Sequence, residues 1–206
     1  MLKIWGRTNS VNVQKVMWCV GELGLAHERI DAGGKFGKND EDWYRAMDPN
    51  GRIPVIDDDG FVLWESNAIV RYLAEKHGAG SLCPKTQRSR ANADRWMDWA
   101  ITTLLPHVHV CFMNLIRTSE AERDMPAVEA AALRAGEIYE ILDRHLAERQ
   151  TILGDHLTMA DVPAGCLTYR WYGLPVDHAE RPNVHAWYER LTQRPAFREH
   201  VMIPLS

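Results

Sequence analysis

The sequence lacks paired cysteines and lacks an excess of positive charge. Its four cysteines lie far apart and form no Cys-x-x-Cys pair, which argues against a zinc knuckle, a dithiol redox motif and a disulfide framework. A net charge of −4 and a pI near 6.1 give no electrostatic reason to bind nucleic acid. We therefore expect no nucleic-acid partner. We expect reduced, mostly buried thiols at Cys19, Cys83, Cys111 and Cys166.

The chain also lacks the sequence features of a secreted or membrane-spanning protein. Its start, Met-Leu-Lys-Ile-Trp-Gly-Arg, is not a charged segment followed by an apolar signal stretch. We expect no uncharged apolar run of the roughly 18 residues needed to cross a bilayer. With 206 residues, 46% of them hydrophobic, the chain suits one large or two modest domains. These features predict a cytoplasmic protein that does not bind a membrane.

Hydrophobic periodicity divides the chain into two halves, and the first half mixes strands with helices. Short apolar segments predict strands at 2–5, 26–30, 54–56 and 61–64. Helical spacing predicts helices at 12–23, 42–47 and 66–76. The order βαβ-α-ββα makes a small mixed sheet covered by helices, an α/β domain that we place at residues 1–79.

The second half contains no strand signal. A linker with glycine and proline at 77–84 precedes it. Helical patterns follow at 88–117, 126–150, 158–171 and 183–192. We expect the first of them to be interrupted near Pro106, because proline cannot donate a backbone hydrogen bond. The prediction is an all-α domain at residues 86–206.

Three short motifs carry the functional signal. Ile53-Pro54 opens an apolar strand, where the proline removes a ladder donor and so suits an edge position or a cis bond. Glu65-Ser66 opens a helix, whose free amides make an anion site. Thr158-Met-Ala-Asp161 follows the pattern of a helix capping box. The first two motifs together predict a clamp for a small peptide.

In their order and spacing, these motifs resemble those of the cytosolic glutathione transferases, and the resemblance covers the whole chain. It implies a thioredoxin-like first domain that binds glutathione and a helical second domain that lines the electrophile site. It also implies a cis Ile53-Pro54 bond, with the Ile53 backbone pairing with the cysteinyl part of glutathione. Glu65 would face the γ-glutamyl ammonium, and Ser66 would bind the neighbouring carboxylate.

The resemblance implies that the group activating the thiol lies at the start of the first helix. The polar candidates are Thr8, Asn9, Ser10 and Asn12. No tyrosine precedes Tyr44 and Cys19 lies two turns into the helix, so tyrosine-type and cysteine-type enzymes match poorly. Ser10 falls where the serine-type, theta-like enzymes keep their serine, and Ser10-x-Asn12 resembles the Thr-x-Asn pair of the bacterial nu-like class. We favour Ser10 and keep Asn12 as its alternative or partner.

A hydroxyl group is sufficient to activate the thiol. Lowering a thiol pKa from ~8.5 to ~6.5 requires about 2.7 kcal/mol of preferential thiolate stabilisation. One hydrogen bond to a charged group contributes roughly 1.5–3 kcal/mol, and a helix N-terminus adds roughly 0.3–1 kcal/mol. The competing role for Ser10 is that of a plain N-cap of the first helix.

Polar residues near the Ile53-Pro54 turn are candidates for binding the glycyl carboxylate of glutathione. In the family, a loop corresponding to Gly33–Lys38 approaches this carboxylate, which makes Lys35, Lys38 and Asn39 candidates. Arg52, beside the turn, is another. The loop is not a phosphate-binding P-loop, because its second glycine comes one residue early and Asn39 stands where Ser or Thr is required.

The electrophile pocket is expected between the two domains. Its aromatic and apolar candidates are Trp96, Met97, Trp99, Leu104, His107, Phe112, Trp171 and Tyr172. Only a minority should line it, because most of such a stripe at helical spacing is core. His107-x-His109 does not indicate a metal, because residues two apart on a helix face different directions. We predict no metal site.

These features predict a glutathione transferase, which takes glutathione as co-substrate and directs its thiolate at a small apolar electrophile, as in detoxification. Two alternatives stay open: glutathione-dependent peroxidase or disulfide reductase chemistry, suggested by Ser10-x-Asn12, and a noncatalytic transferase-like scaffold. A scaffold has no physical need of Ser10, Glu65 and Ser66 together. The family further implies a homodimer.

Overall fold

The computed structural model describes residues 1–206 and contains one four-stranded sheet, in the first half of the chain. The strands are Leu2–Trp5 (β1), His27–Ile30 (β2), Val55–Asp58 (β3) and Phe61–Trp64 (β4). Their spatial order is β2-β1-β3-β4. Strand β1 runs parallel to β2 and antiparallel to β3, so the sheet is mixed, as the sequence predicts.

Strand β3 is a central strand, between β1 and β4, with Ile4 opposite Ile56 and Trp5 opposite Val55. Of the two alternatives for Pro54, the edge position is therefore wrong, and the Ile53-Pro54 bond is cis. Pro54 precedes the first ladder residue, so its missing N–H does not interrupt the pairing of β3.

Three helices complete the first half: Val11–Leu23 (α1), Asp42–Arg45 (α2) and Ser66–His77 (α3). Helices α1 and α3 pack against each other; α3 buries one side, whereas α1 is buried on most of its surface, from Val13 to Val20. Helix α1 ends at Gly24, whose φ of 62° is a left-handed conformation that glycine adopts without steric cost. A single 3₁₀ turn, Gly34–Phe36, which the periodicity did not indicate, follows β2.

The second half is helical throughout. Its helices are Gln87–Trp99 (α4), Leu105–Phe112 (α5), Met125–Leu146 (α6), Asp161–Tyr172 (α7), Pro182–Thr192 (α8) and Pro195–His200 (α9). The last of them was not predicted, because six residues are too few for a periodic pattern.

The interruption predicted near Pro106 is confirmed for the α-helical pattern, which stops at Trp99 and resumes at Leu105, although the chain stays helical from Gln87 to Arg117. A π-helical turn, Ala100–Leu104, joins α4 to α5, and a second one, Met113–Arg117, follows α5. Pro106 lies in the first turn of α5, directly after the first π turn. A π turn widens the helix by one residue, so it absorbs the proline without ending the helix.

By length and composition alone, this segment, Gln87–Arg117, is long and apolar enough to cross a membrane. The expectation that no such run exists is therefore wrong. Core helices of soluble proteins share this length and composition. In this fold α5 packs against α6 and α7.

The capping box predicted at Thr158–Asp161 forms only in part. The carboxylate of Asp161 accepts the Thr158 amide at 3.0 Å, as the box requires. The Thr158 hydroxyl, however, lies 3.3 Å from that same carboxylate instead of accepting a helix amide. Asp161 also accepts the Ile152 amide at 2.9 Å and the Trp187 indole at 3.0 Å, so it ties α7 to α8 and to the preceding loop.

One hydrophobic core runs through both halves of the chain. Helix α1 packs against α7 and α9 as well as α3. The ring centroids of Trp18 and Phe197 are 4.7 Å apart, and a Cβ added to Gly165 would lie 2.8 Å from the Trp18 ring. The start of α1 is thus held against the helical half, which brings residues from both halves to one site.

Candidate active site

Ser10 lies at the start of α1 and does not act as a side-chain cap. Its backbone is extended, with φ −87° and ψ 124°, and its hydroxyl makes no capping hydrogen bond. The residue is half-buried and lines a cavity of about 660 Å³ between the two halves, which we name the interdomain cavity. Its hydroxyl is therefore free to donate a hydrogen bond into that cavity.

Asn12, in the first turn of α1, is held by two donors. Its Oδ1 accepts the Lys15 ammonium at 2.9 Å and the Ser66 hydroxyl at 3.4 Å. With its oxygen occupied, Asn12 presents the amide NH₂ group as the donor to a ligand. Asn12 lines both the interdomain cavity and a smaller one of about 260 Å³, which we name the inner cavity.

Lys15 is a buried cation at the wall of the inner cavity, with 1% of its surface exposed. Burial lowers the pKa of its ammonium to about 8; the nearby Cys166 and Glu65 oppose this shift, and Arg170 adds to it. The sequence gives no signal for this role, because a lysine in an amphipathic helix is ordinarily assigned to the solvent face.

Glu65 and Ser66 join β4 to α3 on the other side of the inner cavity. Glu65 has φ 71° and ψ 109°, a backbone conformation that costs a non-glycine residue roughly 1–3 kcal/mol. Its side chain is exposed, whereas Ser66 is buried at the first position of α3. A carboxylate, a hydroxyl and a helix N-terminus therefore meet at one wall, which suits a ligand end carrying both an ammonium and a carboxylate.

The turn before Pro54 is fixed by two buried side chains. Asp48 accepts the backbone amides of Asn50 and Arg52, each at 2.9 Å. The Tyr44 hydroxyl donates to the Arg52 carbonyl at 2.8 Å. Neither role was anticipated, although Asp48-Pro-Asn-Gly51 is a turn signature in which an aspartate accepts the amide two residues on. No comparable local signal marks Tyr44. The loop leading to Ile53 is consequently rigid on the side that faces the inner cavity.

The structure brings most of the predicted site residues together. The inner cavity is lined by Asn12, Arg52, Ile53, Pro54, Glu65 and Ser66. Ser10 lines the adjoining interdomain cavity, and Asn12 and Arg52 border both. Two opposed walls of the first domain thus meet at the start of α1.

Lys38 and Asn39 are not brought to this site, since neither lines either cavity. The Asn39 amide donates to the Gly51 carbonyl at 2.8 Å, so its side chain braces the loop. Lys38 has φ 70°, a left-handed conformation at the end of the glycine-rich loop. Lys35 lies away from the inner cavity as well, in a separate surface cavity.

The apolar lining of the interdomain cavity differs from the predicted set. Of the eight candidates only Phe112 lines it, together with Ile101, Leu105, Pro106 and Met113. Met97 and Leu104 are fully buried in the core. Beyond the π turn, the extra residue shifts the side chains away from simple α-helical periodicity, which accounts for the difference there. Trp96 precedes the turn and packs on Trp99 and His145 instead. Trp171, on α7, stacks on Tyr139.

Three of the cationic side chains that line the interdomain cavity were also not predicted from the sequence. Arg7, Arg117 and Arg170 line it, alongside the predicted Arg52. Arg170 is 5% exposed, within a helix whose residues are almost all buried, and an isolated arginine there gives no periodic signal. No group of three or more His, Cys, Asp or Glu side chains is placed to hold a metal ion.

A thioredoxin-like sheet domain, a helical domain packed on it and a site at the start of α1 define a class of glutathione-handling proteins. The family description "Glutathione S-transferase, N-terminal domain" matches residues 9–76, and "Glutathione S-transferase, C-terminal domain" matches residues 93–195. The chain belongs to the cytosolic glutathione S-transferase superfamily and is of the bacterial type.

Curated relatives and solved structures agree with this assignment. The chain is 41% identical to "Glutathione S-transferase GstB" of Escherichia coli over 208 residues, covering all of both chains. It is 33% identical to "Glutathione S-transferase 3" of Zea mays over 214 residues, covering 99% of this chain and 95% of that one.

Among solved structures, a theta class glutathione S-transferase from Xanthomonas axonopodis pv. citri with glutathione bound superposes with a TM-score of 0.96. It is 43% identical, and the match covers 100% of this chain and 99% of that one. The protein is a glutathione transferase enzyme, as the sequence predicts.

Proposed function

We propose that glutathione binds in the inner cavity, in the orientation that the family resemblance implies. Its γ-glutamyl ammonium pairs with Glu65, the neighbouring carboxylate with Ser66, and its cysteinyl backbone with Ile53. Arg52, which borders both cavities, takes the glycyl carboxylate. The thiol then points towards the start of α1.

One observation carries this proposal: Asn12 touches Ser66 and also borders the interdomain cavity. It is therefore adjacent both to the proposed carboxylate site and to the space left for a second substrate. A thiol held between these two cavities lies within reach of donors at the helix start.

The thiolate is stabilised by the Ser10 hydroxyl, with the Asn12 amide as a second donor. Both residues belong to the first turn of α1 or precede it, and both line the interdomain cavity. The hydroxyl of Ser10 is not used for capping, which removes the competing role. The second substrate is a small electrophile whose apolar body contacts Ile101, Leu105 and Phe112.

Ultraviolet titration of the bound thiolate tests these roles. Ser10→Ala should raise the pKa of bound glutathione by about one unit or more, because one charge-assisted hydrogen bond is worth roughly 1.5–3 kcal/mol. Thr8→Ala, one turn outside the helix, is the matched control. If Asn12→Ala moves the titration and Ser10→Ala does not, Asn12 is the main activator. Absence of a melting-temperature shift at millimolar glutathione would refute binding itself.

A second candidate is glutathione-dependent peroxidase or disulfide reductase activity. Two neutral donors, Ser10 and Asn12, border the same cavity. They can stabilise a thiolate that attacks the sulfur of a disulfide or the oxygen of a hydroperoxide, which favours this candidate. Turnover of an aryl halide, a hydroperoxide and a mixed disulfide, compared side by side, separates the two candidates.

We also propose a cytoplasmic homodimer, as is typical of the family. Support comes from β4, an edge strand whose Phe61, Val62 and Trp64 are 49%, 37% and 36% exposed. An exposed apolar edge strand is a liability in a monomer and is normally covered. The partner subunit is the occupant that the family implies.

A further inference from the structure

The charged side chains that line the interdomain cavity are all basic. The lining contains four arginines, Arg7, Arg52, Arg117 and Arg170, one histidine and no acidic residue. Burial lowers the pKa of His109, and Arg170 lowers it further, so the histidine contributes little charge near neutral pH. A pocket meant only for an apolar molecule has no need of this arrangement.

Arg170 is the most buried of these cations. Its guanidinium lies 3.8 Å from the centroid of the Phe112 ring, and its Nη2 reaches the Asn9 carbonyl only at 3.5 Å. Its Nε is buried without a hydrogen-bond partner. Burial lowers the pKa of Arg170 to about 10, and the charges of Arg117 and Arg7 contribute in the same direction.

Arg7 and Arg117 line the same cavity as Arg170. Arg7 donates to Asn9 Oδ1 at 2.7 Å, but its Nε is also buried without a partner. Arg117 is exposed at the rim, 5.6 Å from the Phe112 ring centroid. Three cations thus line one cavity, two of them beside the Phe112 ring, and Arg7 and Arg170 retain unused buried donors.

Holding a buried cation such as Arg170 beside other cations without a counter-ion is costly, and removing it would normally stabilise the fold. Arginine's fork of donors is matched to carboxylates and related oxyanions, which it binds with short, charge-assisted hydrogen bonds. The cluster is therefore a site that an anion would complete.

Glutathione does not account for this anion. The inner cavity contains none of Arg7, Arg117 and Arg170, whereas Arg52 borders both cavities and is sufficient for the glycyl carboxylate. The three remaining arginines lie on the side reserved for the second substrate.

We propose that the second substrate carries an anionic group, such as a carboxylate, held by Arg7, Arg117 and Arg170, and an apolar body that packs against Ile101 and Leu105. This inference rests on the proposed function, because it assigns the acceptor of the same thiolate. In the reaction, the glutathione sulfur forms a bond to the electrophilic carbon after its proton has passed to solvent. With an alkyl halide as the electrophile, the carbon–halogen bond breaks and the halide leaves with the electron pair.

A matched pair of electrophiles tests the proposal. 4-(Bromomethyl)benzoate and its methyl ester share a reacting carbon, a leaving group and an apolar ring, and differ in charge. Each kcat/KM is divided by the rate of the uncatalysed reaction with glutathione. The wild type should favour the benzoate by at least about tenfold, since hydrogen bonds to a charged group are worth that much or more.

Arg170→Met and Arg117→Met should each reduce this preference by about tenfold, through a higher KM for the benzoate. Arg117 is at the rim, so its variant tests the site even if Arg170→Met fails to fold. Arg134→Met, which removes an exposed arginine paired with Glu137 on α6, carries the same change in net charge and should leave the preference unaltered.

Three results would overturn the proposal: equal normalised rates for the two electrophiles, a preference that survives both substitutions, or a loss confined to the KM for glutathione. In the last case the arginines serve glutathione itself. Failure of the proposed function has a different signature, because the neutral ester would then not turn over and glutathione would not raise the melting temperature.

Discussion

Replacing Lys15 by methionine is expected to stabilise the protein while it weakens thiol activation. The side chain is fully buried, and burial lowers the pKa of its ammonium from 10.5 to about 8. Each pKa unit corresponds to 1.36 kcal/mol, so the folded state disfavours this charge by about 3 kcal/mol relative to the unfolded chain. Methionine is of similar length and carries no charge.

The substitution also removes the hydrogen bond from Lys15 to Asn12, which is worth about 1 kcal/mol. The net gain in the free energy of unfolding at pH 7 is therefore about 2 kcal/mol. For a chain of this size, that gain corresponds to a melting temperature higher by about 4–8 °C. The freed Asn12 oxygen lets its amide turn, so the pKa of bound glutathione should rise.

The stability difference should depend on pH in a defined direction. Between pH 8 and 10.5 the folded protein releases the Lys15 proton while the unfolded chain still holds it. The unfolded state then binds more protons, so the free energy of unfolding of the wild type rises with pH relative to that of the variant. The advantage of Lys15→Met is complete below pH 8 and falls by about 1.36 kcal/mol per pH unit above it, so the net gain of about 2 kcal/mol disappears at pH ~9.5.

Urea denaturation of both proteins at pH 7, 8, 9 and 10, at one protein concentration, measures this difference. Lys85→Met, at an exposed site in the linker, controls for the loss of a lysine and should change stability by less than about 0.5 kcal/mol. A Lys15→Met variant that is less stable than the wild type at pH 7, or that keeps the same advantage at pH 7 and pH 10, would contradict this prediction.

Two further predictions concern the strained residue and the subunit interface. Glu65→Gly and Glu65→Ala should both weaken glutathione binding, measured by isothermal titration calorimetry. The free energy of unfolding should be about 1 kcal/mol higher for the glycine variant than for the alanine variant, because only glycine adopts φ 71° without steric cost. Equal stabilities would show that this backbone is not strained. Light scattering should give the mass of two chains, and Trp64→Glu on β4 should lower it to that of one; a single-chain mass for the wild type would contradict the homodimer.

The sequence predicted the regular elements well because their signals are local. Alternation and helical spacing indicated all four strands and most helices, and Ile53-Pro54 and Glu65-Ser66 indicated two opposed walls of one cavity. Those motifs depend on backbone geometry that a few residues specify. The central position of β3 could not be predicted from these local signals, since strand order depends on pairing between distant segments.

The residues that were missed share a different property: their environment is set by packing between the halves. Lys15 and Arg170 lie in helices where a charged residue is ordinarily assigned to solvent, yet both are buried where α1 meets α7. The part of the cavity lining that follows the π turn was missed because this turn shifts the register of the helix. Neither effect leaves a trace in hydrophobic periodicity.

The π turn at Ala100–Leu104 holds one residue more than an α-helix of the same length would. Deleting one residue from it would restore an ordinary α-helix and leave Leu105 and Phe112, which follow it, on the faces that they now occupy. The change would be confined to the turn itself, where Ile101 borders both the inner and the interdomain cavity. A single-codon deletion there would therefore reshape the wall that the two substrates share, while the rest of the helix and the start of α1 stay as they are.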